Sequence, residues 1–223
     1  MTRLLIATAA FLVTHYIAST PLRPQLARIL GTNGYLMLYS AVALITLGAM
    51  VWTYYRAPFI GVWYVPALRY APAIAMPFAL MLIACGLLTR NPGAVGGERL
   101  LREREAAHGI LRITRHPLMW GIALWAASHM LARGDAAALL FFGAFLLLAL
   151  SGTVLIDRRK RAALGGAWER YAAVTSNLPF AAIAKGSNRL RAAEIGGWRA
   201  AVALALYVIL WWSHSLLFGA RPY

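Results

Sequence analysis

Uncharged apolar stretches constrain the fold of this sequence more than any other feature. Six segments of 16 to 21 residues are almost free of Asp, Glu, Lys and Arg, and 61% of the 223 residues are hydrophobic. The segments are residues 4–20, 35–55, 71–89, 117–132, 136–156 and 198–218. A helix rises 1.5 Å per residue, so about 20 such residues cross the ~30 Å hydrocarbon core of a bilayer. The sequence therefore predicts an all-α fold, a polytopic integral membrane helical bundle with about six transmembrane helices in a single domain over residues 1–223, and excludes a soluble enzyme.

Positive charge is distributed unevenly between the two sides of such a bundle. The chain has 22 Lys and Arg against 7 Asp and Glu, a formal net charge of +15. With six spans, 17 of the basic residues lie in the connections after the first, third and fifth spans, and five lie on the opposite side. The positive-inside rule then places those three connections in the cytoplasm and both termini outside it. In a soluble protein this charge would suggest nucleic-acid binding, but here we interpret it as orientation, with the lipid bilayer and no nucleic acid as partner.

The first span has an alternative interpretation. Residues 4–13 follow Arg3 and resemble the apolar core of a secretory signal, with Ala18 and Ser19 as small residues near a cleavage site. Cleavage would leave five spans, with the basic connections still on one side. Cys85 has no partner cysteine in the chain, so the sequence excludes an internal disulfide.

Histidines within the apolar spans are the first candidates for function. His15, His129 and His214 lie in spans one, four and six, whereas His108 and His116 lie in the connection before span four. A neutral imidazole can ligate iron, bond a carbonyl or relay a proton, and hydrocarbon offers it no partner. Each of these histidines can instead be a structural one, bonded to a neighbouring helix.

Helical rise limits which histidines can act together. His116 and His129 are 13 residues apart, about 20 Å along one helix, so they belong to separate sites. His15 is about five residues from the cytoplasmic end of span one and His129 about twelve residues into span four, a nominal mismatch of ~10 Å.

The start of span four is a candidate anion site. Pro117 is suited to the first turn of a helix, and the exposed amides there lie beside Arg112, Arg115 and His116. We expect these three side chains to bind an anionic group such as a propionate, a lipid headgroup or a cofactor carboxylate. The alternative is a plain helix start with headgroup-binding arginines. The mixed-charge segment that begins at Glu98 is predicted to lie as a surface helix.

Three segments of the chain resemble the NnrU family of membrane proteins. The longest reads Gly-Ile-Leu-Arg-Ile-Thr-Arg-His-Pro-Leu-Met-Trp-Gly over residues 109–121, and the others are Asp-Arg-Arg at 157–159 and residues 175–183. The resemblance implies a bacterial inner-membrane protein associated with expression of nitrite and nitric oxide reductases in denitrification, and the charge asymmetry then makes both termini periplasmic. NnrU proteins in turn resemble the plastid zeta-carotene cis–trans isomerases, which use haem b.

The same resemblance implies residues that would hold a haem. His15 and His129 match the proposed axial ligands of the isomerases and would hold the iron of haem b. His214 is a reserve ligand on position alone, because span six runs parallel to span four and His214 lies about sixteen residues into it. Ala126 stands where the isomerases have a cysteine as a proposed alternative ligand, so a ligand swap is not available here. The implied function is redox or isomerase-like chemistry on a small apolar substrate, or a response to nitric oxide.

A more distant resemblance, to the isoprenylcysteine carboxyl methyltransferases, supports a second hypothesis. The Arg-His-Pro run at residues 115–117 matches their motif for binding S-adenosylmethionine, and residues 168–171 match the region after it. Their later acidic pair is missing, because Asp157 is followed by Arg158. A third hypothesis is a non-catalytic membrane partner for assembling reductases. A haem spectrum would favour the first hypothesis, whereas a colourless protein that binds S-adenosylmethionine would favour the second.

Overall fold

The computed structural model describes residues 1–103 and 105–222, and the regular structure in this part of the chain is helical. The α-helices are α1 (Thr2–Ile17), α2 (Leu22–Tyr55), α3 (Ala71–Leu88), α4 (Pro117–Arg133), α5 (Ala136–Leu164), α6 (Gly166–Ala173), α7 (Ala181–Ala184), α8 (Ala192–Ile195) and α9 (Gly197–Phe218). Three short 3₁₀ turns cover Pro66–Tyr70, Glu98–Arg102 and Gly109–Arg112. The all-α prediction is therefore confirmed.

Within the described residues, four helical segments are long and apolar enough to cross a bilayer: Leu22–Tyr55, Pro66–Leu88, Ala136–Leu164 and Gly197–Phe218. Helices α1 and α4 have 16 and 17 residues. At 1.5 Å per residue each reaches roughly 25 Å, short of the ~30 Å hydrocarbon core. Both pack along longer helices, α1 against α2 and α5, and α4 against α3 and α5. The chain is thus an all-helical membrane bundle with four candidate spans, and a count of six stays a prediction.

Helix α2 begins well before the predicted second span and changes direction at Gly31. That glycine has φ +72° and ψ 160°, a left-handed backbone that residues with a Cβ rarely adopt. Residues 22–30 therefore form a separate helical segment before the span itself. This segment exposes Leu22 and Ile29, the latter at 78%, and carries Arg23 and Arg28. An apolar and basic surface of this kind suits the headgroup region of a bilayer.

Helices α3 and α4 approach each other through glycines. A Cβ on Gly121 would lie 2.8 Å from the carbonyl oxygen of Ala79, and a Cβ on Gly86 would lie 2.8 Å from the amide nitrogen of Leu118. Small residues at such positions let two membrane helices pack backbone to backbone. The close contact fixes α4 on α3, and with it the positions of the side chains that α4 carries.

The turn between α4 and α5 is held by an earlier loop. Gly134 ends α4 in the left-handed conformation, and the buried Asp135 caps α5 by accepting from the amide of Ala138 at 2.9 Å. The amides of Val62 and Trp63 both donate to the Gly134 carbonyl, at 2.8 and 3.0 Å. Main-chain bonds between the loop at residues 62–63 and the α4–α5 turn therefore close this end of the bundle.

Aromatic rings from four helices meet in the core. Phe11 of α1 lies 5.2 Å from Phe145 of α5, and Trp125 of α4 lies 5.1 Å from the same ring, centroid to centroid. Such pairs add about 0.5–1.5 kcal/mol each beyond the area they bury. The aromatic core consists of Phe11, Tyr54, Trp125, Phe141, Phe142 and Phe145. It binds the short helices α1 and α4 to the long helix α5.

The connections between α3 and α4 and between α5 and α9 fold together at the basic end of the bundle, and we call this unit the cap. The predicted surface helix from Glu98 is wrong over the described residues, where Glu98–Arg102 forms a 3₁₀ turn; Arg104 lies outside them. Lys160 explains the difference, because its Nζ donates to Glu98 Oε1 at 2.6 Å and to the carbonyls of Pro92 and Ala94 at 3.2 and 2.9 Å. These bonds tie the segment to the end of α5.

Candidate functional site

The start of α4 carries a buried ion cluster. Helix α4 begins at Pro117, as predicted, with His116 at the capping position. Arg115 donates to both carboxylate oxygens of Asp157 on α5, through Nε at 2.9 and 3.0 Å and through Nη2, and its Nη1 donates to the Thr175 carbonyl at 3.1 Å. His116 Nε2 lies 2.7 Å from Asp157 Oδ1. All three side chains are buried, so two donors and one carboxylate satisfy each other away from water.

A second ion pair closes the cap beside the first. Arg112 Nε donates to Glu194 Oε2 at 2.7 Å, and Arg112 Nη1 donates to Asn188 Oδ1 at 2.8 Å. The amide of Gly109 also donates to Glu194, at 3.0 Å. The hydrogen bonds from Arg112 are the main reason why the pKa of Glu194 falls to about 2. The carboxylate therefore stays charged throughout the neutral and mildly acidic range.

Arg112, Arg115 and His116 thus face internal carboxylates in the structure. The sequence predicted that they bind an anionic group of a ligand or lipid, and that role stays a prediction. Asp157 and Glu194 are the residues that sequence reasoning did not assign to this corner. One signal was available, since the chain has only 7 acidic residues and a buried arginine has to meet one of them.

The segments that carry the family resemblance meet at this cluster. Thr114 Oγ1 and Trp120 Nε1 both donate to the carbonyl of Asn177, at 2.6 and 2.8 Å. The amide side chain of Asn177 donates to Thr153 Oγ1 on α5 at 2.9 Å, and the Arg115 amide donates to the Ser176 carbonyl at 3.0 Å. Residues 109–121, 157–159 and 175–183 are therefore parts of one hydrogen-bonded unit.

The region matched by the methyltransferase hypothesis is part of the cap core. Trp168 and Tyr171 on α6 are 0% and 3% exposed, with ring centroids 5.3 Å apart. Burial raises the pKa of Tyr171 above its usual range. Both side chains pack against Ala107 and Leu101 of the preceding connection.

His129 lies against the aromatic core on α4. Its Nδ1–H donates to the Trp125 carbonyl at 2.8 Å, and its ring centroid is 5.7 Å from Trp125 and 5.3 Å from Phe142. Across residues 1–103 and 105–222, no hydrogen bond reaches its Nε2. An imidazole with Nδ1–H held by a carbonyl presents the Nε2 lone pair, which is the donor that a haem iron needs.

His15 and His214 have the same arrangement. His15 Nδ1–H donates to the Phe11 carbonyl at 2.7 Å, and His214 Nδ1–H donates to the Ala220 carbonyl at 2.7 Å. His15 contacts Phe11 and Tyr39 with ring centroids 4.1 and 6.0 Å apart. All three imidazoles therefore fit the donor chemistry of an axial ligand. Among the described residues no three His, Cys, Asp or Glu side chains converge as a metal cluster.

His15 and His129 lie at different levels of the bundle. His129 packs on Phe142, whereas the residue after His15 bonds Ser151 on the same helix α5 at 2.6 Å. Those α5 positions are nine residues apart, about 14 Å of helical rise, in line with the mismatch expected from sequence. His129 and His214 are close enough to interact electrostatically. The structure thus places His129 near His214, with aromatic rings between it and His15.

Long apolar helices, a buried ionic cap and imidazoles among aromatic rings define a helical integral membrane protein. The chain belongs to the NnrU family, because the family model described as NnrU protein matches residues 3–222. Over 82 residues it is 39% identical to the chloroplastic 15-cis-zeta-carotene isomerase of Zea mays. That match covers 37% of this chain and 22% of the relative, so it spans about a fifth of the relative's length. No solved structure matches. The family match and the partial identity to the isomerase confirm the resemblance expected from the motifs.

Proposed function

We propose that this chain is a haem b-binding membrane protein with isomerase-like chemistry on an apolar polyene. The observation that carries the proposal is the imidazole of His129, which is surrounded by aromatic rings and presents Nε2 without a protein partner in the described chain. Partial identity to a zeta-carotene isomerase supports the substrate class. When held by His129 and a second histidine, haem b would supply a redox-active iron for chemistry on nitric oxide or a double bond.

Two histidines are candidates for the second haem-binding residue. The family resemblance favours His15, whereas the electrostatic interaction of His214 with His129 favours His214. His15 instead packs on Phe11, whose ring contacts Phe145.

An apolar groove between α1 and α5 supports the substrate class. It has a volume of about 270 Å³ and opens on the bundle surface. Its lining includes Leu5, Leu12, Leu140 and Gly143. A polyene dissolved in the bilayer can enter such a groove without leaving an apolar environment.

The decisive experiment is an absorption spectrum of detergent-purified protein with pyridine haemochrome analysis. We expect a Soret band that is lost in His129→Ala and in one of His15→Ala and His214→Ala, at equal expression. His108→Ala is the matched control, because His108 lies in the cap connection, and it should keep the band. A colourless wild-type protein, or full Soret intensity in His129→Ala, would refute the proposal. Incubation of the coloured protein with 15-cis-zeta-carotene, followed by separation of isomers, tests the substrate.

The remaining hypotheses stay predictions. The methyltransferase hypothesis requires S-adenosylmethionine to bind the corner where Arg115 and His116 now face Asp157, and calorimetric titration of the same preparation tests it. A link to nitrite and nitric oxide reductases predicts that deletion of the gene lowers both activities, and this role is compatible with haem binding.

A further inference from the structure

Two arginines meet at the basic end of the bundle without a carboxylate between them. Arg159, near the end of α5, lies within electrostatic range of Arg23 at the start of α2. Within residues 1–103 and 105–222, Arg159 donates one side-chain hydrogen bond, from Nη1 to the Ala18 carbonyl at 3.3 Å. In the same part of the chain the Arg23 guanidinium forms no hydrogen bond or ion pair. Most of the N–H donors of this pair are therefore available.

A buried phenol near Arg159 also lacks a partner among the described residues. Tyr35 is 5% exposed, and no hydrogen bond reaches its Oη from the described chain. The same phenol is within electrostatic range of Arg159. Its ring stacks on Tyr39 with centroids 6.0 Å apart, which holds the hydroxyl in place. An unsatisfied buried hydroxyl costs about 1–3 kcal/mol, so an acceptor at this point would be stabilising.

The local charge leaves this corner positive. Glu98 is the acidic group within range of Arg159, and its carboxylate is engaged by Lys160 at 2.6 Å. Glu98 thus faces two cations, Lys160 and Arg159, and Arg23 adds a third positive charge beside Arg159. A zwitterionic headgroup would bring its own cation towards two arginines, whereas an anionic one would not.

We propose that Arg23, Arg159 and Tyr35 bind the phosphate of an anionic glycerophospholipid. Guanidinium groups and a phenol O–H match the acceptor oxygens of a phosphodiester. Exposed Leu22 adjoins Arg23 and exposed Ile29 lies on the same helical segment, which gives the acyl chains an apolar surface. The site is separate from the three candidate haem histidines and does not depend on haem.

The test is lipid binding to delipidated full-length protein in a neutral detergent. Phosphatidylglycerol is titrated against phosphatidylcholine of the same acyl chains, and inorganic phosphate serves as the soluble probe. Native mass spectrometry counts the bound lipid. Phosphatidylglycerol should bind at least about tenfold more tightly than phosphatidylcholine, as charge-assisted hydrogen bonds predict.

Variants separate this site from general attraction to a basic surface. Arg159→Gln and Tyr35→Phe should each weaken phosphatidylglycerol binding by roughly tenfold. Arg158→Gln and Arg28→Gln are matched controls, because both arginines are exposed neighbours, and they should leave binding unchanged. Tyr35→Phe removes only a hydroxyl, so it keeps the test valid if the arginine variants fold poorly.

Three outcomes would overturn the lipid-binding proposal. Equal losses in the control variants would show general electrostatic attraction. Binding of inorganic phosphate as tight as that of phosphatidylglycerol would assign the site to a free anion. A Soret band lost in Tyr35→Phe with unchanged lipid affinity would assign it to a haem propionate. A colourless wild-type protein would refute the haem proposal and leave this one standing.

Discussion

Replacing Asp157 by asparagine should destabilise the protein far more than any exposed charge change. The substitution keeps the shape of the side chain but removes the negative charge that Arg115 and His116 share. Asp157 and Arg115 are 7% and 8% exposed, so water cannot replace the lost partner. Breaking a buried pair by removing one partner costs about 3–5 kcal/mol. For a chain of this length that corresponds to a fall in Tm of roughly 6–20 °C.

An internal reporter makes this measurable in detergent. Cys85 is the single cysteine and is fully buried in α3, so a fluorogenic thiol reagent reacts with it as the bundle opens. The matched control is Glu169→Gln, which breaks an exposed ion pair. The side chains of Glu169 and Arg161 in that pair are 58% and 49% exposed. Exposed pairs contribute about 0–1 kcal/mol, so the control should shift Tm by at most a few degrees. Equal shifts in the two variants would refute the interpretation of Asp157 as the centre of a buried cluster.

Three further predictions concern other parts of the molecule. A phosphatase fused to the C-terminus should be active, because the basic asymmetry places that end outside the cytoplasm; an active cytoplasmic reporter at the same point would contradict the topology. Glu194 ionises near pH 2 instead of 4.5, so its contribution is complete above about pH 5 and is lost as the pH falls towards 2. Acid titration of Tm should therefore show a loss of stability that is absent in Glu194→Gln, and identical titrations would contradict it. Gly121→Ala should lower the free energy of unfolding by about 1–3 kcal/mol because its Cβ meets α3, whereas Gly48→Ala, with open space around it, should not. Equal Tm values for the two variants would show that α3 and α4 have room to separate.

The main helices were predictable because hydrophobicity is a local property. All six apolar segments correspond to helices, four of them long, and Pro117 marked the start of α4 through its fixed φ and missing amide hydrogen. The start of α2 was not predictable from hydropathy, because residues 22–30 mix apolar with basic side chains and the chain turns at Gly31.

The candidate site was only partly predictable, because its contacts join distant parts of the chain. Arg115 is 42 residues from Asp157 and Arg112 is 82 residues from Glu194. A buried arginine needs an anion nearby, but sequence spacing does not indicate which carboxylate it meets. The different levels of His15 and His129 were predictable, since both follow from helical rise alone. The proximity of His214 to His129 depends on the packing of α9 and required the structure.

The pairing of Arg112 with Glu194 has a consequence for biosynthesis. At 5–20 residues per second, the 82 residues between them take roughly 4–16 s to synthesise. Helices α4 and α5 are made within that interval, while the arginine has to remain hydrated at the membrane surface. The cap can close only when the final segment before α9 has been made. A nascent chain interrupted before Glu194 would therefore present an open, charged end, which distinguishes it from the finished protein to any protease that surveys the membrane surface.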